Sequence, residues 1–186
     1  MRGLNLTNHL LIAMPGLADP NFHHTVTYVC AHGEEGALGI VINRPLDIPL
    51  EQVFAQMQIG CEQPAINRLP VFSGGPVQRD RGFVLHRPAG QWASMLRIDD
   101  SIGLATSRDI LEALASGRGP EDVLIALGYA GWDAGQLERE MAENAWLSTP
   151  ATLEILFEVP PERRWRAAAG MMGIDLSLLS TDVGHA

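Results

Sequence analysis

The chain has 186 residues, and 13 Lys plus Arg against 22 Asp plus Glu give a formal net charge of −9. This length suits one domain or two small ones, and a 46% apolar composition supplies enough core material to exclude a mainly disordered chain. The negative charge opposes the counterion release behind non-specific nucleic-acid affinity and disfavours an anionic membrane surface, so neither nucleic acid nor membrane is an expected partner.

Arg2 and a short apolar run at residues 10–14 open the chain. A secretory core needs about 7–15 apolar residues followed by a small-residue cleavage site. No stretch approaches the roughly 20 apolar residues of a membrane helix, and the reading is a soluble, non-exported protein. The first clear strand is Thr25-Val26-Thr27-Tyr28-Val29-Cys30-Ala31, with Val26, Tyr28 and Cys30 on one face. Gly33-Glu34-Glu35-Gly36 turns the chain into Ala37-Leu38-Gly39-Ile40-Val41-Ile42, an unbroken apolar run expected to be covered on both faces and paired to the first strand as a hairpin.

Pro49 then starts a helix in which Leu50, Val53, Phe54 and Met57 form one stripe. Leu69-Pro70-Val71-Phe72-Ser73 reads as a strand entering the Gly74-Gly75-Pro76 corner, and Gly82-Phe83-Val84-Leu85-His86 resumes extended structure. Short strands are expected near residues 92–98 and 102–106. Ser107 is placed to cap a helix striped by Ile110, Leu111, Leu114 and Ala115. Val123-Leu124-Ile125-Ala126-Leu127-Gly128-Tyr129 reads as a central strand, apolar on both faces. A loop carrying Trp132 follows, then a helix opened by Asp133 and Gln136 at capping-box spacing. Residues 153–159 read as a further strand, and a last helix from Pro161-Glu162 carries Trp165, Ala168, Ala169 and Met172 as its stripe. There is no linker, repeat or low-complexity block, so residues 1–186 read as one interleaved α/β domain.

Cys30 and Cys61 are too far apart for a CxxC site and too few for a disulfide scaffold, which fits a reducing cytoplasm. His23, His24 and His32 lack the spacing of a metal site, and neighbouring histidines on a strand would diverge. Cys30 and His32 should share a strand face, as half of a thiol–imidazole pair or simply as core. Gly74 and Gly75 offer an anion-approach loop, but Pro76 lacks a donor, and a structural corner is the other reading. Arg79, Arg81 and Arg87 around this corner, with Arg44 at the hairpin end, could form a cationic patch or simply cover apolar surface. Trp132 stands where α/β folds often bind ligands, or packs down as a lid. The candidate ligand-binding set is Asn43, Arg44, Gly74, Gly75, Arg81, His86 and Trp132. No catalytic set, metal or cofactor is expected.

Several segments together resemble the AlgH/YqgE family of bacterial proteins. They include Leu11-Ile12-Ala13-Met14-Pro15, Gly36-Ala37-Leu38-Gly39-Ile40-Val41-Ile42-Asn43-Arg44-Pro45, and Gly74-Gly75-Pro76-Val77. Arg81-Gly82-Phe83-Val84-Leu85-His86, Gly128-Tyr129-Ala130-Gly131-Trp132, Asn144-Ala145-Trp146 and the closing Gly184-His185-Ala186 carry it further. Thr25 and Ala31 depart mildly from the family pattern. The resemblance implies an α+β fold with a curved, partly barrel-like, mainly antiparallel sheet flanked by helices. It also implies a regulator, after the proposed role in alginate production behind one family name. Combined with the charge, it points to a non-enzymatic cytoplasmic regulatory or adaptor protein, acting on a protein partner or small anionic ligand without direct DNA contact. A ligand-binding or hydrolase-like enzyme with its pocket around the Gly-rich corner and Trp132 is the alternative.

Overall fold

A curled, mainly antiparallel half-barrel organises the protein, seen in a computed structural model that describes residues 4–176 and 178. Arg2 and the closing Gly184-His185-Ala186 lie outside the described residues. The strands are β1 His9–Ala13, β2 Val26–Gly33, β3 Gly36–Val41, β4 Pro45–Pro49, β5 Pro70–Ser73, β6 Val77–Arg87, β7 Met95–Arg97, β8 Gly103–Ala105, β9 Asp122–Asp133 and β10 Trp146–Pro150. The main path runs β10-β1-β2-β3-β9-β6-β8-β7; β5 joins β9 in parallel and β4 pairs with β5. The helices are α1 Leu50–Gln56, α2 Pro64–Asn67, α3 Arg108–Ala115, α4 Gln136–Ala142, α5 Leu153–Phe157 and α6 Arg164–Gly170.

Alternation along the strands sorts their side chains into three cores. One face of the sheet, with Leu10, Tyr28, Ile40, Phe83 and Leu124, packs against Ile155 and Leu156 of α5 and Trp165, Ala168 and Ala169 of α6. The opposite face is covered in two parts. Phe54 of α1 and Ile110, Leu111 and Leu114 of α3 cover Val71, Val84 and Ile125, while Leu137 of α4 joins Leu11, Val29, Trp132 and Trp146. The expected hairpin is β2–β3, and β9 is the expected strand buried on both faces, with Leu124 in one core and Ile125 in another.

Four local expectations are corrected. Residues 153–159 are not a strand: Thr152 accepts the Ile155 N–H and starts α5, and the strand lies earlier, as β10. Trp132 is not in a loop, because β9 continues through it, paired opposite Ala37 of β3. Gly135, not Asp133, is the cap residue of α4, although Gln136 Oε1 still reaches back to the Asp133 N–H at 2.9 Å. Cys30 and His32 do not share a face. A bulge between Val29 and Ala31 interrupts the alternation, turning Cys30 into the α5–α6 core and His32 toward Leu6 and Glu138. Smaller differences follow the same lines. Ser107 stands at the cap of α3 but gives its hydroxyl to Asp109, and Met172 falls beyond α6 and is partly exposed.

Candidate ligand-binding site between α1 and α3

The apolar stripe of α1 is wider than its partner surface. Leu50 and Phe54 are buried, whereas Val53 and Met57 border a cleft of about 420 Å³ between α1 and α3. Outward-facing Val84, Ala105, Ile125 and Leu127 form its sheet floor, and Leu111 of α3 closes one side. Gln52, Gln56, Asp80, Arg81, Ser107 and Arg108 supply its polar edge. Arg108 holds the two walls together: Nη1 donates to Met57 O at 2.7 Å, and Nε lies 3.5 Å from Glu112. Arg81 is exposed, with its Cζ 5.7 Å from the Phe83 ring centroid, and no carboxylate among the described residues lies within ion-pairing distance of it. Beside the cleft, burial opposes ionisation of Asp109, but the Ser107 hydroxyl and the N–H groups of Ala93 and Ile110 outweigh it and hold this carboxyl below its ordinary range.

The seven residues singled out by sequence do not share one pocket. Asn43 closes the hairpin end, accepting the Val26 N–H and donating to His24 O, both at 2.9 Å. Arg44 donates to Asn21 O and His23 O at 2.8 Å, and burial pushes its pKa down against the pull of Asp19. Gly74 and Gly75 adjoin them, since Ser73 N donates to Arg44 O and Val41 N to Gly74 O. They press directly on the β9 backbone, where a Cβ on Gly75 would strike Tyr129. His86 is fully buried, its ring nitrogens 3.0 and 2.8 Å from the carbonyl oxygens of Val84 and Ala89. Trp132 is buried beside Phe22 and Trp146 and donates to Glu140 Oε1 at 2.9 Å. His86 pairs with Val123 near the start of β9 and Trp132 lies near its end, nine residues and about 30 Å of extended strand apart. Only Arg81 of the seven borders the α1–α3 cleft.

The remaining chemical candidates resolve individually. Cys30 is buried, and desolvation drives its thiol pKa far up, which suppresses the nucleophilic thiolate. His23 stacks on His24, which in turn stacks on Trp165, instead of the two histidines diverging. Among the described residues no group of three His, Cys, Asp or Glu side chains is placed to hold a metal, and no helix is long and apolar enough to cross a membrane.

A family model described as AlgH-like matches residues 10–177. The chain belongs to the AlgH-like family. It is 61% identical to the UPF0301 protein of Thioalkalivibrio sulfidiphilus, over 98% of this chain and 97% of the relative. It is also 55% identical to a UPF0301 protein of Nitrosococcus oceani, over 96% of each. The solution structure of the AlgH protein from Pseudomonas aeruginosa superposes on this AlgH-like chain with a TM-score of 0.81 at 49% identity, covering 100% of this chain and 98% of that one. A crystal structure from Corynebacterium diphtheriae shares the fold at a TM-score of 0.74 and 17% identity, over 97% of this chain and 94% of that one.

Proposed function

We propose that the protein is a non-enzymatic, cytoplasmic regulatory or adaptor protein that takes a small amphipathic anion in the α1–α3 cleft and acts without direct contact to nucleic acid. The observation that carries this reading is the cleft itself, an apolar floor bordered by an exposed arginine with no ion-pair partner among the described residues. Concave, mainly apolar pockets with a few polar groups are the usual form of small-molecule sites. The polar groups on offer are amides, hydroxyls, guanidiniums and the carboxylate of Asp80, a set suited to holding a ligand. Two free cysteines suit a reducing compartment, and the net charge of −9 argues against a phosphate backbone as partner.

The test is a fluorescence titration with 1-anilinonaphthalene-8-sulfonate, an apolar ring system carrying one anionic group. Gly82 borders the cleft, and a Cβ there would meet no atom within 4 Å, so Gly82→Val fills the site without a clash at that atom. Saturable binding is expected, weakened about tenfold or more by Gly82→Val, equivalent to about 1.4 kcal/mol, and less strongly by Arg81→Gln. Unchanged affinity in Gly82→Val would remove the cleft from the proposal. A promoter fragment bound with a steep salt dependence would remove the claim of no nucleic-acid contact.

A further inference from the structure

A second cavity, of about 190 Å³, lies across the sheet from this cleft, beside Arg164. Arg164 begins α6 and is only 5% exposed. Its Nε donates to Val159 O at 2.8 Å, Nη1 donates to Ile42 O, and its Cζ stands 5.3 Å from the Phe72 ring centroid. A guanidinium carries five N–H donors. The remaining three have no acceptor among the described residues, and no carboxylate among them lies within ion-pairing distance. Burial pulls this guanidinium's pKa down to about 10 against the opposing pull of Glu162, as expected of a cation removed from water without a counter-ion. Among the described residues, Thr27 Oγ1 and Trp92 Nε1 are buried polar atoms left without a partner, and His32 Nε2 and Glu138 Oε1 have only each other, at 3.2 Å. Arg164 Nη2 is not among these fully buried atoms, and Arg164 lines the cavity.

We propose that this cavity is a binding site for a small apolar monocarboxylic acid, its carboxylate paired with the free edge of Arg164 and its body packed against Phe72, Leu124 and Leu156. The other walls are apolar too, including Leu69, Phe157 and Pro161. Among the described residues no hydroxyl or amide side chain borders the cavity to satisfy the further oxygens of a phosphate, and the Glu158 carboxylate at its edge opposes a dianion. Two carboxylate oxygens match the planar donor fork of arginine. The volume is below the 300–1,000 Å³ of drug-sized sites, which restricts the ligand to a few heavy atoms.

The test is NMR of the wild-type protein labelled with ¹⁵N-arginine, with the Arg164 side chain assigned through bonds to its backbone. Isovalerate should shift the Arg164 Nε and Nη resonances saturably and leave Arg81 and Arg87 unmoved. Isovaleramide, with the same shape and no charge, should not produce this shift, and inorganic phosphate should bind at least about tenfold more weakly. Arg164→Lys should weaken isovalerate by about tenfold, because the bidentate fork is lost while the charge stays. Should that variant unfold, the wild-type titrations decide. Equal shifts from acid and amide would overturn the charge recognition, and phosphate binding as tightly as isovalerate would overturn the carboxylate assignment. Unsaturated drift of all arginines, or no saturable shift at about 10 mM, ten times a millimolar Kd, would overturn the site.

Discussion

His24 adopts a φ of 56°, a left-handed conformation that a histidine rarely takes. Its ring is stacked between His23, at 3.7 Å, and Trp165, at 4.1 Å. Burial, followed by the charges of His23, Arg166 and Arg44, pushes its pKa below the ordinary histidine value. As pH falls through about 6.5, the unfolded chain binds a proton that the folded ring resists, so stability declines until pH passes the folded pKa. His24→Asn, which tolerates the same φ, should lessen that decline in urea unfolding between pH 7 and pH 5, and the His24 Cε1 proton should titrate below the range of a peptide histidine. His32 follows a different logic. Leu6 N–H donates to its Nδ1 at 2.9 Å, so Nε2 carries the proton of the neutral ring and faces Glu138 at 3.2 Å. Of the seven residues proposed from sequence, Arg81 is the one that borders the α1–α3 cleft. The role of Arg108 was not legible in the sequence, since it depends on the Met57 carbonyl far away along the chain.

Among elements, the apolar runs that became β2, β3 and β9 could be read directly, because burial on one or both faces dictates their pattern. The segment after Thr152 could not. Leu153, Ile155, Leu156 and Phe157 satisfy either a short strand or one buried helical turn, and the choice falls to the Thr152 side chain accepting the Ile155 N–H at 3.2 Å. Thr152→Ala should therefore cost about 1 kcal/mol in urea unfolding, without changing the overall circular dichroism. The cleft was hidden for a related reason. Periodicity placed Val53 and Met57 on the apolar stripe of α1 without revealing that α3 stands far enough away to leave them uncovered. The bulge in β2 was equally invisible, since neither Val29 nor Ala31 carries a glycine or proline signal.

At the scale of the molecule, two close-packed glycines stand where the sheet's strands cross. Gly75 (φ 154°) and Gly128 (φ 81°) occupy backbone conformations that side chains rarely adopt, at the crossing where β5 leaves β9 and β6 returns to it. A Cβ on either would strike the other strand's backbone. Gly75→Ala should lower unfolding free energy by more than about 3 kcal/mol or prevent soluble accumulation, as read by urea unfolding and soluble yield. Sequence signalled a corner there, but not that its partner would be Gly128. The strand order also governs how the protein can be made. β1 pairs with β2 on one side and with β10 on the other, and β3 requires β9, so Leu10 lies opposite Thr149 and Ala37 opposite Trp132. A ribosome delivering this chain releases the β1–β2–β3 unit long before its outer partners β10 and β9 emerge. Its apolar edges stay open through most of synthesis, and the half-barrel closes only when the last third of the chain arrives. Slow, late folding and exposure to chaperones on the ribosome follow from that order.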